Sequence, residues 1–428
     1  MVRPVPCTIF DYLEWRGDLT FAADPCNSVD QLILATFAYV HFTDIVPAAF
    51  DESIGLADAA QAVIDACSHD DKALARLLRD GRDLKLLEAL RDSPRFSEAR
   101  LSGYIDIIDD ELDKQFCAMC IELPDGACHI AFRGTDSTIA GWKEDFNMGF
   151  ETEVPAQASA ARYLEDASCA FPGPLWVCGH SKGGNLAIYA AVKALPRVQD
   201  RIASVFNGDG PGFLTDMLES DAYHAVRDRI DTFIPESSVV GMLMEHEDDY
   251  AIVKSSNMGL LQHEPYSWEL KGTRFDTVAS TDIHSRLVDM TLKEWCTHIG
   301  TDDRRKFISG VYQLISNTDA QTLSDLFTGK NTFEILKAVP SLDWETRNLM
   351  LQAFGVLGIS ARDSMAEMAR GYIEGNGIHL PALPRTEDAN PENPAAALSA
   401  LKEQAAGAFK ALGEKVIDEA TAIDEEIE

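Results

Sequence analysis

The order of apolar runs along this chain predicts an α/β protein: a mostly parallel sheet with helices on both faces, followed by a C-terminal helical appendage. Three observations carry that expectation. From about residue 103 to 235, short apolar runs alternate with stretches of helical periodicity, as strands joined by crossover helices do. Past about residue 282 the strand-like runs stop and only helical spacing remains. Between them, a serine flanked by glycines, Gly179-His180-Ser181-Lys182-Gly183, stands where an apolar run meets a helical pattern.

The chain opens with a short loop and a helix over NSVDQLILATFAYVHF, with Asn27 or Ser28 as its N-cap. Residues 56–100 read as charged helices. YIDIID, KQFCAMCIEL and CHIAFRG, separated by Asp-Asp and Asp-Gly turn signals, read as consecutive strands. Then helix AQASAARYLEDAS, strand LWVCG, helix GGNLAIYAAVKAL, strand IASVFNG, helix LTDMLESDAYHAVRD and strand RIDTFIP follow in turn. The expected organisation is an α/β domain over 1–285 and a helical appendage or cap over 286–372. A Pro-rich linker over 373–395 and an acidic amphipathic helix over 396–428 follow. A narrow apolar stripe on that last helix suits self-association better than a membrane surface.

With 70 acidic against 37 basic residues, the formal net charge is −33. Such a field repels nucleic acid and anionic membranes, so neither is an expected partner. The sequence shows no signal peptide and no apolar stretch long enough to span a bilayer. Its nine cysteines are an odd number in apolar settings, which suits free thiols in a reducing cytoplasm. Cys117 and Cys120 form a CxxC, but inside a strand-like run and without a second pair, so no metal or cofactor is expected.

Two motifs carry chemistry. GHSKGG places Ser181 on a tight strand-to-helix turn, where glycines two positions either side avoid clashes with neighbouring backbone. The pentapeptide alone is weak evidence; its strand-turn-helix setting is what raises it above a plain glycine-rich turn. Phe132-Arg133-Gly134-Thr135 ends the strand CHIAF, and a small hydroxyl there can face a developing oxyanion. The bland alternative is a turn in which Arg133 makes a structural ion pair. A second oxyanion donor is expected from the backbone N–H of Lys182, at a helix N-terminus.

FRGT, the following DSTIAGW with its acidic neighbours, and GHSKGG together resemble the class 3 lipases. The opening DYLEWRGDLTF, the helix VDQLILATFAYVHFTDIVP and the later IPESSVVGML and SSNMGLLQHEPYSWEL are more similar to the Mbeg1-like group of α/β-hydrolases. The resemblance covers residues 8 to about 285. Lys182 departs from the lipase pattern, which has Leu there. The resemblance implies an α/β-hydrolase fold and a serine hydrolase acting on a lipid or small acyl ester. A thioesterase, a transacylase or a non-catalytic scaffold that recruits partners are the alternatives.

A serine hydroxyl needs a general base, and the α/β-hydrolase order of nucleophile, acid and histidine leaves His224, His246, His263, His284 and His298. His263, in a loop after the apolar run YAIVKSS, is the expected base. His180 is expected to support the turn. For the orienting acid, Glu236 follows the strand RIDTFIP, where the lipases carry theirs. Asp209, one strand earlier, is its rival, and Asp231 a distant third.

Overall fold

The computed structural model describes residues 7–279 apart from 110, 136–143, 145, 146, 149, 150, 239, 242–249 and 258. These residues all belong to the first of the two units into which the chain divides, 1–308 with 318–332. The expected appendage, linker and last helix, with His284 and His298, lie outside the described residues, as does His246.

Short helix α1 (Ile9–Arg16) stands where a loop is expected and precedes α2 (Ser28–Phe37). The α2 N-cap is Asn27. Its side chain accepts from Val29 N at 2.9 Å, and the Asp30 carboxylate accepts from Asn27 N at 2.9 Å, a reciprocal closure of the first turn. Strand β1 (Ile54–Gly55) leads into helices α3 (Leu56–His69), α4 (Asp71–Leu77) and α5 (Gly81–Asp92). An antiparallel run follows: β2 (Arg100–Asp109), β3 (Lys114–Glu122) and β4 (Cys128–Phe132).

From β4 the pairing turns parallel, through β5 (Leu175–His180), β6 (Ile202–Gly208), β7 (Ile230–Pro235) and β8 (Tyr250–Val253). Helix α6 (Pro155–Ala170) connects β4 to β5, and α7 (Lys182–Lys193), with the short α8 (Pro196–Gln199), connects β5 to β6. The expected helix over 214–228 is broken. It forms α9 (Thr215–Leu218), α10 (Asp221–His224) and a 3₁₀ turn over Arg227–Arg229. Ser220 interrupts it: its hydroxyl accepts from Tyr223 N at 3.1 Å and so starts a new N-terminus. Three two-residue strands close the described part: β9 (Leu270–Lys271), β10 (Arg274–Phe275) and β11 (Thr277–Val278).

The sheet runs β1-β2-β3-β4-β5-β6-β7-β8-β11, an α/β-hydrolase architecture. Because strand side chains alternate between faces, neighbouring residues feed separate cores. Ala131, Cys178 and Phe206 join the core that holds α2, α3 and α5, whereas Phe132, Val177 and Val205 join the one that holds α6 and α7. The same alternation divides the CxxC. Cys117 faces the first core and Cys120 the second, so the two thiols cannot converge on one ion. The eight cysteines among the described residues are free thiols.

Candidate active site

Ser181 stands between β5 and α7 with φ 59° and ψ −134°. A non-glycine residue with positive φ is strained, and here the surroundings enforce it. Ser181 N donates to Gly208 O at 2.8 Å, while Gly184 N donates back to Ser181 O at 2.9 Å. Gly183 is required by close approach: a β-carbon there would meet Phe132 O at 2.1 Å. The start of α7 thus lies directly against the end of β4, and the serine is lifted onto a tight turn.

His263 ends a 3₁₀ turn, Gly259–His263, that brings it to the same end of the sheet. Its ring lies 4.7 Å, centre to centre, from that of His180, the residue before Ser181. The carboxylate it meets is that of Asp209: His263 Nδ1 and Asp209 Oδ2 are 2.6 Å apart. The sequence expectation places Glu236 there, with Asp209 as its rival; the carboxylate that the structure brings to His263 is that of Asp209. Asp209 follows β6, its N–H donates to Phe233 O at 2.8 Å and its φ is 51°. That left-handed turn carries the carboxylate into the interior, where it is fully buried. Oδ1 is held there by the Ser238 hydroxyl and by Gly241 N at 3.1 Å.

Glu236 opens the turn that follows β7. Its N–H donates to Val253 O at 3.1 Å, completing the β7–β8 pairing. Its charge acts on Lys254, an ammonium raised first by its hydrogen bond to Asp276 and then by the charges of Asp276, Glu269 and Glu236. What this segment gives His263 is backbone support, since Ser237 N donates to the Gln262 side chain at 2.8 Å. Asp231, the third candidate, lies within β7 beside Ser204. His224 closes α10.

His180 does more than support the turn. Its Nε2 is 2.8 Å from His263 O, and its Nδ1 is 2.9 Å from the Tyr39 hydroxyl. A carbonyl can only accept, so Nε2 carries the proton and Nδ1 accepts from Tyr39. That neutral form fits its burial, which with the charges of His263 and Arg79 pushes the imidazole well below its usual value. Trp268 adds a further hold, donating from Nε1 to Gln262 O at 2.9 Å. Arg79 stacks on Tyr39 with its guanidinium 4.0 Å from the ring centre, and binds Asp83 at 2.7 Å. The loop that presents His263 is therefore anchored to the chain neighbour of Ser181.

Both expected oxyanion donors lie beside this group. Thr135 follows Gly134, where a β-carbon would meet the Tyr39 hydroxyl at 2.0 Å and His180 O at 2.5 Å, so the FRGT turn is pressed onto the serine's turn. Lys182 is the first residue of α7, where a backbone N–H has no partner inside the helix. Arg133 does form the ion pair of the bland reading, with Asp106 at 2.6 Å, alongside this placement of Thr135. Sequence reasoning missed Tyr39, Ser238 and Gly241. The FNGDGPG turn around Asp209 was the signal for the acid, since its glycines mark a sharp change of chain direction.

The family model described as Mbeg1-like matches residues 90–313. Among solved structures, the chain is similar to M37 lipase at 15% identity, covering 51% of this chain and 70% of that one, with a TM-score of 0.31. It is similar to the Rhizomucor miehei lipase in its propeptide complex at 15% identity, with coverages of 46% and 65% and a TM-score of 0.29. The lipase of Rhizopus microsporus var. chinensis gives 15% identity, coverages of 54% and 80%, and a TM-score of 0.30. No curated protein matches the sequence.

Proposed function

The chain belongs to the Mbeg1-like family, and we propose that it is a serine hydrolase that cleaves a carboxylic ester of a lipid or small acyl group. The observation that carries this reading is the 2.6 Å contact between His263 and the buried Asp209, set beside a serine on a strained strand-to-helix turn. With Nδ1–H committed to Asp209, His263 keeps Nε2 as the basic atom. In the proposed reaction Ser181 Oγ attacks the ester carbonyl while His263 takes its proton. The histidine then returns that proton to the departing alcohol. Asp209 holds the tautomer and the positive charge, and the N–H of Lys182 and Thr135 receive the negative charge on the carbonyl oxygen. Water repeats the sequence on the acyl-enzyme.

A fluorophosphonate probe tests the reading. One adduct on the wild type, none on Ser181→Ala, is the expected result by intact mass. Equal labelling of both would remove the serine from the mechanism. An ester and thioester panel of varied acyl length, run on the same pair, then assigns the acyl donor. The free thiols accord with a cytoplasmic setting, which we propose together with it.

A further inference from the structure

The residue after the serine is a lysine with its side chain wholly buried, and its partner is equally buried. Lys182 Nζ lies 3.0 Å from Glu144 Oε2, and both side chains are 0% exposed. The ammonium also donates to Gln115 Oε1 at 2.7 Å and to Gln115 O at 2.9 Å, so all three of its protons have an acceptor. Glu144 is equally committed. Its Oε2 accepts from Gln115 N at 3.0 Å and its Oε1 from Ala156 N, at the start of α6, at 2.8 Å.

The attraction between the two charges adds little net stability in itself, because both must be stripped of water to be buried. What the ion pair adds is direction. It ties four segments to one point: the start of β3, the start of α6, the first turn of α7 and the stretch after FRGT. One of those segments carries a proposed oxyanion donor: Lys182 supplies it from its own backbone, at the first turn of α7. A helix free to rotate slightly about its axis would turn the Lys182 N–H away from the carbonyl oxygen. A side chain locked at its far end by three hydrogen bonds prevents that rotation.

We propose that Lys182 and Glu144 are a positioning pair that fixes the oxyanion hole, a role that rests on the serine-hydrolase reading above. The pair touches no substrate; it sets the angle of the group that does.

The test is the double variant Lys182→Met/Glu144→Leu, which removes both charges and keeps the volume. Its melting temperature is expected to fall, because Gln115 N and Ala156 N lose their buried acceptor, so its kinetics are read well below that temperature. Its kcat and its rate of fluorophosphonate labelling are expected to fall about a hundredfold, as when one oxyanion donor is lost, with KM changed less than about threefold. Wild-type kcat and labelling rate in the double variant would overturn the proposal. Should that variant not fold, Glu144→Gln keeps the shape and is assayed well below its melting temperature. A kcat lowered at least about tenfold at constant KM is expected, and an unchanged kcat overturns the pairing role. Absence of any adduct on wild-type Ser181 condemns the hydrolase reading itself. Labelling of wild type and variant at equal rates condemns only the positioning role.

Discussion

Strands β6 and β7 end side by side, each with a carboxylate just beyond its last residue, and the two carboxylates do different things. After β6 the backbone turns into a positive φ at Asp209, which drives a short side chain into the interior against His263. After β7 there is no such positive φ at Glu236, whose N–H keeps pairing with Val253 while its charge acts on Lys254. Two residues of the same charge, one strand apart, are separated by one backbone torsion. Which carboxylate reaches the histidine is set by the turn more than by the residue type.

The sharpest way to break this comparison is to neutralise each carboxylate in turn. Asp209→Asn should lower kcat about ten-thousand-fold with the fold retained, because an amide no longer fixes the histidine tautomer. Ester turnover and circular dichroism on one preparation check it. A loss below about tenfold would return the acid to another residue.

A second expectation bounds the pH range in which that test is valid. His129 is fully buried on β4, stacked on Trp176 at 5.3 Å, and burial pushes its imidazole down to about 3. Below the unfolded value of about 6.5 the unfolded chain therefore binds a proton that the folded one refuses. Stability is complete above that value and falls as pH drops from about 6.5 towards 3, by a few kcal/mol in all. His129→Phe keeps the stack and removes the titration, so its melting temperature should decline less between pH 7 and pH 4. Parallel melting curves for the two proteins would refute the assignment.

The smallest effect is expected at the other strand end. Glu236→Gln should leave kcat within about twofold and change stability by less than about 1 kcal/mol, since the carboxylate at His263 Nδ1 is that of Asp209. Turnover and thermal melts report both. A steep loss of rate with an intact fold would reverse the comparison with Asp209.

Much of this architecture was legible in the sequence, because it is written in periodicity. Strands β2 to β7, their crossover helices and the serine turn all follow from runs such as LWVCGHSKGG, where an apolar strand gives way to a helix at a glycine-flanked residue. His263 could be singled out by chain order and by the apolar run before it. The choice between Asp209 and Glu236 could not be read in the same way, since both follow apolar strands and only the backbone torsion separates them. Lys182 and Glu144 were illegible as a pair for a different reason. They are far apart in sequence, charged residues are ordinarily solvated, and only the buried contacts of Lys182 with Gln115 and Glu144 show that these two are not. His180 hid likewise, its two hydrogen bonds reaching Tyr39 and a carbonyl in a distant loop.

The strand order has a consequence for how the protein comes to be made. From β1 to β8 each strand pairs with the one that follows it in the chain, so the sheet can lengthen at a single edge as synthesis proceeds. Ser181 takes its place once β6 has added Gly208 O as the acceptor of its N–H, but the turn that holds Asp209 requires β7, and the loop bearing His263 follows β8. A nascent chain that has reached only β6 holds a serine with neither its carboxylate nor its imidazole, beside an unpaired strand edge. The proposed triad is assembled only when the last parallel strands have covered that edge, and until then the open edge leaves an unfinished chain prone to pairing with its neighbours.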